Sequence, residues 1–347
     1  MLRTVQSLFD CERSNFFAGV VVLVNSWEIS PQSAVEQNRR TFGDLQQFAQ
    51  ENNNEHFTLI PLLVENLKGR QTGAGLPRKL GMDEAVRLFG ANKSGIIASL
   101  DADCTVESNY LAEIYRNFSG QKLNSATIRF HHPVEHLPAS DRLRQAAECY
   151  EKYLNFYRSS LEYCGYPYPY FTVGSAFAVT AETYRKVGGM GRQQSGEDFY
   201  FLQKVFPLGR TAFIGTTCVY PAARLSDRVP FGTGTSLQKM LGEDKITKKT
   251  YSFEAFKTLK TFFSRIDSFY GRKNQDIEAV ISDLPNYLLD FLSADGFLGK
   301  ITEINANTAS IANFRKRFFN YFNAFKILKY LNFVHPAYLD LEDIERF

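Results

Sequence analysis

Three short apolar runs, spaced by helix-length segments, constrain this chain more than any other feature. Residues 19–24 (GVVVLV), 57–64 (FTLIPLLV) and 96–100 (IIASL) are bounded by polar or turn residues. Runs of that length and β-branched content read as strands buried on both faces. Between them, residues 32–51 and 77–89 read as helices, the second with Leu80, Ala85, Val86 and Phe89 toward a core. Strand, helix, strand, loop, helix, strand is the rhythm of a doubly wound α/β sheet flanked by helices. Pro61 cannot donate to a sheet ladder and points to an edge position for the second run.

The third run stops at two carboxylates, Asp101 and Asp103, with only Ala102 between them. Side chains two apart on a strand share a face. Both acids can therefore reach one point beyond the strand end, where open α/β sheets bind ligands. Paired carboxylates there suit Mg²⁺ or Mn²⁺, with substrate phosphates as further ligands. The competing reading is a plain turn, which favours Asp without any ligand. Downstream, residues 110–118 read as a helix, 126–130 as a strand, and 142–162 as a long amphipathic helix. Residues 171–179 read as a strand interrupted at Gly174-Ser175. A short helix at 181–187 ends at Gly188-Gly189, Glu197-Asp198 open another, and 210–220 form a last strand region. The remainder, from about residue 236 on, reads as helical.

Composition narrows the function classes. The chain has 347 residues, 44% hydrophobic and 22% charged, which is ordinary globular material. A net charge of +3 gives no electrostatic case for nucleic acid. No apolar stretch reaches the ~18 residues of a spanning helix, and MLRTVQSLFDCERS lacks a signal peptide's apolar centre. Cys11, Cys104, Cys149, Cys164 and Cys218 form no CxxC pair. That speaks against a disulfide framework or structural zinc and for a reducing compartment. The expected location is cytoplasmic.

Three stretches in this order, GLPRKLGMDEA, the strand ending in DAD, and GSAFAVTAETYRKVGGM with SGEDFYFLQKV after it, resemble the family 2 glycosyltransferases. These are nucleotide-sugar enzymes of the GT-A fold, and the resemblance covers residues 2–234. It implies a catalytic domain at 1–235 and a helical region at 236–347. It implies that Asp101 and Asp103, as a DxD motif, bind the donor ribose and a metal on its diphosphate. Asp198 would take the proton from the acceptor hydroxyl, with Glu197 beside it, in a single inverting displacement. A UDP-sugar is the expected donor, and a glycan or lipid-linked molecule the expected acceptor. Glycan biosynthesis is the implied context.

Each assignment has a structural rival. Glu197 and Asp198 suit a helix start through the dipole alone. Arg78 and Lys79 would neutralise the diphosphate or be solvated residues of a first helical turn. Gly73 and Gly75 would admit phosphate, but without Gly-Lys-Ser/Thr their loop is no P-loop. Asn25 would touch base or ribose, or serve a turn. Gly174 and Ser175 would lie on the acceptor side, leaving room for a sugar. Arg224, Asp227 and Arg228 would close over the diphosphate or form a surface turn. The sequence also departs from the family. The strand that normally begins its sheet is absent, so the expectation is a native polypeptide extending upstream of Met1. The only histidine after the Asp198 helix is His335, so a third metal ligand is missing, and QxxRW of the membrane synthases is not present.

Two other functions compete. A metal-dependent hydrolase would use His131, His132, Glu135 and His136 with the aspartates, although Pro133 breaks any helix aligning them. A nucleotide-sugar-binding module without turnover would use the same donor residues. In the tail, Ile311, Phe314, Phe318, Tyr321, Phe322, Phe325 and Leu328 recur at helical spacing among Arg315, Lys316, Arg317, Lys326 and Lys329. Residues 311–331 would lie on the inner face of the membrane, or pack their aromatic face on protein.

Overall fold

The computed structural model describes residues 1–13, 15–68, 73–225 and 232–347. The chain forms two compact units, one of Met1–Ala147 with Thr172–Gly242, the other of Glu148–Phe171 with Glu243–Phe347. The first is mixed α/β. In chain order it contains α1 (Leu2–Phe9), β1 (Ala18–Trp27), α2 (Gln32–Asn52), β2 (Phe57–Leu67), α3 (Gly75–Phe89), β3 (Ile96–Ser99) and β4 (Cys104–Val106). Then come α4 (Tyr110–Gln121), β5 (Ser125–Phe130), the start of α5 (Arg142–Tyr163), β6 (Phe177–Thr180), α6 (Ala181–Lys186), α7 (Glu197–Val205), β7 (Thr211–Pro221) and α8 (Thr233–Leu241).

Its strands make two sheets. Strands β1 and β2 pair in parallel, Val22 opposite Pro61, so Pro61 does lie in an edge strand. The larger sheet runs β3-β6-β5-β7-β4, with β5 and β7 parallel and β6 antiparallel to both β3 and β5. Ala126, Ile128, Ala178, Ile214 and Val219 of this sheet share a core with Val5 and Leu8 of α1, Phe57 and Leu59 of β2, and Ile114 and Phe118 of α4. Residues 19–24, read as buried on both faces, are mostly half-buried, with Val24 alone fully enclosed. The reason is topological, because among the described residues β1 has β2 as its single strand neighbour.

One connection positions everything that follows. Strands β3 and β4 are consecutive in the chain yet stand at opposite ends of the strand order. Four strand spacings of about 4.8 Å span ~19 Å in a flat sheet. The link from Ser99 to Cys104, advancing at most about 3.6 Å per residue, would fall just short of that even fully extended. It instead turns tightly, the Cys104 N–H donating to the Asp101 carbonyl at 3.1 Å. The sheet must therefore curl, which lays Asp101-Ala102-Asp103 across its end. The hydroxyl of Thr4 on α1 pins this turn by donating to the Ala102 carbonyl at 2.9 Å. Thr4→Val keeps the volume and removes that bond, and should lower stability by about 1 kcal/mol in a urea titration. An unchanged midpoint would show that the turn holds without α1.

The second unit is helical. It contains β8 (Lys249–Thr250), α9 (Phe253–Ser264), α10 (Asn274–Ile281), α11 (Asn286–Ala294), α12 (Phe297–Ala306), α13 (Ile311–Tyr321), α14 (Ala324–Val334) and β9 (Glu342–Asp343). The division falls after Gly242, and the unit also takes in the α5 residues from Glu148 on. Aromatic packing explains this, since Phe156 of α5 meets Phe253, Phe256 and Phe347. The tail's aromatic face is internal. Phe314, Phe318 and Phe322 are fully buried, and the rings of Phe318 and Phe322 stack at 5.9 Å. Arg315 pairs with Asp267 and Lys326 with Asp295. A membrane contact through 311–331 would have to rest on Ile311 and Phe325, the large apolar side chains exposed there. Among the described residues no helix is long and apolar enough to cross a membrane.

Candidate active site

Two of the acids singled out from sequence, Asp101 and Glu197, meet through one arginine. Arg78, in the first turns of α3, sends Nη2 to Asp101 Oδ1 at 2.5 Å and Nη1 to Glu197 Oε1. The three side chains differ sharply in exposure: 11% for Arg78, 47% for Asp101 and 4% for Glu197. Asp101 therefore faces outward while Glu197 lies inside. Burial works against the charge of Arg78, but Asp101, Glu197 and Asp198 outweigh it and hold the guanidinium above its ordinary pKa.

Glu197 and Asp198 open α7, where the helix dipole favours acids. Burial raises both carboxyls. For Glu197, Arg78 pulls the other way. For Asp198, Arg78 and the backbone N–H groups of Phe199 and Gly174 do so. The Phe199 N–H donates to Asp198 Oδ1 at 2.7 Å. The two neighbours thus differ, Glu197 bound to the Arg78 guanidinium and Asp198 bonded by the Phe199 N–H among the bonds described. A half-buried carboxylate with raised pKa can take a proton from a substrate hydroxyl.

Asp103 pairs with Arg224 and is 27% exposed. Its neighbour Cys104 is buried, and burial pushes its thiol up, with Asp101 and Asp103 adding to the effect. Ser175 is buried, and the Cys104 thiol donates to Asp103 Oδ1 at 3.7 Å. Gly174 lies in a turn before β6, which starts at Phe177 rather than near 171. The Gly174 carbonyl accepts the Ser99 hydroxyl at 2.7 Å, which fixes that turn against β3. Lys79 bonds Asp83 at 2.8 Å, and the Tyr184 hydroxyl also donates to Asp83, at 2.7 Å. Asn25 stands where the β1–β2 register shifts, its carbonyl accepting from Asn38 at 2.7 Å. Arg228 and Asp227 lie outside the described residues, as do residues 69–72 of the glycine-rich loop. Gly73 and Gly75 run so close to the backbone of Gln194 and Gln193 that a Cβ at either position would collide with it. Close chain packing beside Glu197 thus accounts for both glycines without a phosphate.

The residues present suit some metals and not others. Among the described residues, no group of three or more His, Cys, Asp or Glu side chains could hold an ion. His131 bonds Glu135, and HHPVEH contributes to no such group. His335 is engaged with the Ser252 N–H and the Leu331 carbonyl in the second unit. Two carboxylates at a turn fit a hard cation that draws its other ligands from phosphate and water, and do not fit zinc.

Thr4, Ser99 and the Gln193-Gln194 backbone were not legible as site residues. Each acts through contacts between distant parts of the chain, and none carries a local motif. No protein-family model matches the chain, and no curated protein matches it. Among solved structures it is similar to residues 1–349 of TarS from S. aureus. Against the complex with UDP it is 12% identical with a TM-score of 0.40, covering 78% of this chain and 68% of that one. Against the complex with UDP-GlcNAc it is 11% identical with a TM-score of 0.42, covering 90% and 85%. At that identity and score the likeness does not identify a reaction.

Proposed function

We propose that this chain transfers a sugar from a nucleoside-diphosphate sugar to an acceptor hydroxyl with inversion, in the manner of the GT-A family 2 enzymes its motifs resemble. One observation carries the reading: Arg78 joins Asp101, at the end of the sheet, to Glu197, next to the half-buried Asp198. On this reading a donor site and a base would lie in one cluster. Asp101 and Asp103 would hold Mg²⁺ or Mn²⁺, which when bound neutralises the diphosphate and eases its departure. Asp198 accepts the acceptor's proton as its oxygen attacks the anomeric carbon. Arg224, exposed and resting on Asp103, is placed to move onto diphosphate oxygens. Glu197 stays with Arg78 and orients it.

A screen of UDP-, GDP- and CDP-sugars for hydrolysis, with and without Mn²⁺, tests this. Hydrolysis of one donor, stimulated by Mn²⁺ and lost in Asp103→Asn, is the expected result. Nucleotide binding in calorimetry without turnover of any donor would instead indicate a binding module, and no nucleotide binding at all would sink both.

A further inference from the structure

We propose that Gly174 is a positioning residue of the acid cluster, seating the Arg78 guanidinium between Asp101 and Glu197. The proposal rests on Asp198 acting as the base. A glycine at this position was expected to leave room for an acceptor sugar, but the structure shows another occupant of that space. A Cβ at residue 174 would lie 2.7 Å from Arg78 Nη2 and 2.8 Å from Cζ, and closer still to Nη1. The guanidinium therefore rests against the bare Cα, in the volume any other side chain would take. Gly174 is not among the positive-φ glycines, so the position demands space and not a left-handed backbone. Arg78 cannot simply give way, since its two nitrogens are tied to carboxylates on separate elements.

The backbone of Gly174 is engaged as well. Its carbonyl accepts from Ser99 at 2.7 Å, and its N–H favours the ionised form of the Asp198 carboxyl. Two elements meet at this residue, β3 through Ser99 and α3 through Arg78, and Arg78 carries the link on to Glu197 of α7. A methyl group here displaces Arg78, which loosens Glu197 and Asp101, and shifts the turn that Ser99 fixes against β3.

The test is a double-mutant cycle of Gly174→Ala and Arg78→Ala, read by thermal melting and by hydrolysis of whichever nucleotide sugar the wild type turns over. Gly174→Ala alone should lower Tm by about 3 °C or more, and by far less where Arg78→Ala has already removed the clash. In hydrolysis, where water is the acceptor and room for a sugar is irrelevant, Gly174→Ala should reduce kcat roughly tenfold or more with donor KM little changed. Additive Tm losses overturn the seating of Arg78. Normal hydrolysis with weakened saturation by an acceptor overturns the proposal in favour of a sugar subsite. A wild type that hydrolyses no donor removes the function proposed above, while coupled Tm losses would still assign Gly174 to Arg78 and additive ones would not.

Discussion

Asp198→Asn is expected to lower kcat by about 10²–10⁴-fold while raising the thermal stability of the protein near neutral pH. Both effects come from one cause. Burial raises the Asp198 carboxyl above its ordinary value, so the folded state holds an ionised group in a place that disfavours charge. For catalysis, that is what lets the group accept a proton. The wild-type rate should rise with pH as the base ionises, on a limb displaced upward from the ~3.9 of free aspartate. For stability, the direction is opposite. Below about pH 3.9 the carboxyl is protonated in both states and no stability is lost. As pH climbs, the unfolded chain ionises first, and stability falls until the folded carboxyl ionises at its own raised pKa. Asparagine is neutral throughout and escapes this loss. The melting temperatures of the two proteins should therefore diverge from about pH 4 upward, with the variant the more stable. Single-turnover donor consumption and melts between pH 4 and 8 check both halves. A variant that is inactive and also less stable at every pH would mean that Asp198 is a structural acid.

Much of this was legible in local sequence. The strand runs, the helices between them and the acids at strand and helix ends follow from periodicity and end chemistry, which are properties of neighbouring residues. Pro61 announced an edge for the same reason. Burial was harder. The run at 19–24 has the composition of an enclosed strand, but enclosure depends on how many strands stand beside it, and composition does not encode that. Arg78 shows the same limit inside the site. As a cation near a helix start it suggested a phosphate ligand, whereas the folded chain engages it with carboxylates 23 and 119 residues away in sequence. Gly73 and Gly75 suggested a phosphate loop, and their actual neighbour is another stretch of backbone. The tail's aromatic stripe fits a membrane surface or a core equally well on a helical wheel. Only packing distinguishes them, and Phe314, Phe318 and Phe322 pack inward.

The strongest effect on stability should come from the arginine that joins the cluster. Arg78→Ala leaves Glu197, 4% exposed, as a buried carboxylate with no cation, and removing one partner of a buried pair costs about 3–5 kcal/mol. Burial already raises Glu197, with Arg78 as the main opposing influence. Without Arg78 the folded carboxyl moves further up. Its unfolded counterpart still ionises near 4.3, so the variant should lose more stability at pH 8 than at pH 5. A second substitution tells charge from packing. Glu197→Gln in the Arg78→Ala background removes the uncompensated charge and should recover part of the loss at pH 8, while a cost due only to the vacated volume would stay. Arg78→Lys should fall between wild type and Arg78→Ala, because a single ammonium cannot reproduce a planar fork reaching two carboxylates from separate nitrogens. Urea midpoints of the four proteins at the two pH values are the measurement. An Arg78→Ala midpoint equal to the wild type at pH 8 would mean that the bridge contributes nothing to stability. A loss that Glu197→Gln does not relieve would place the role of Arg78 in packing against Gly174 and not in charge.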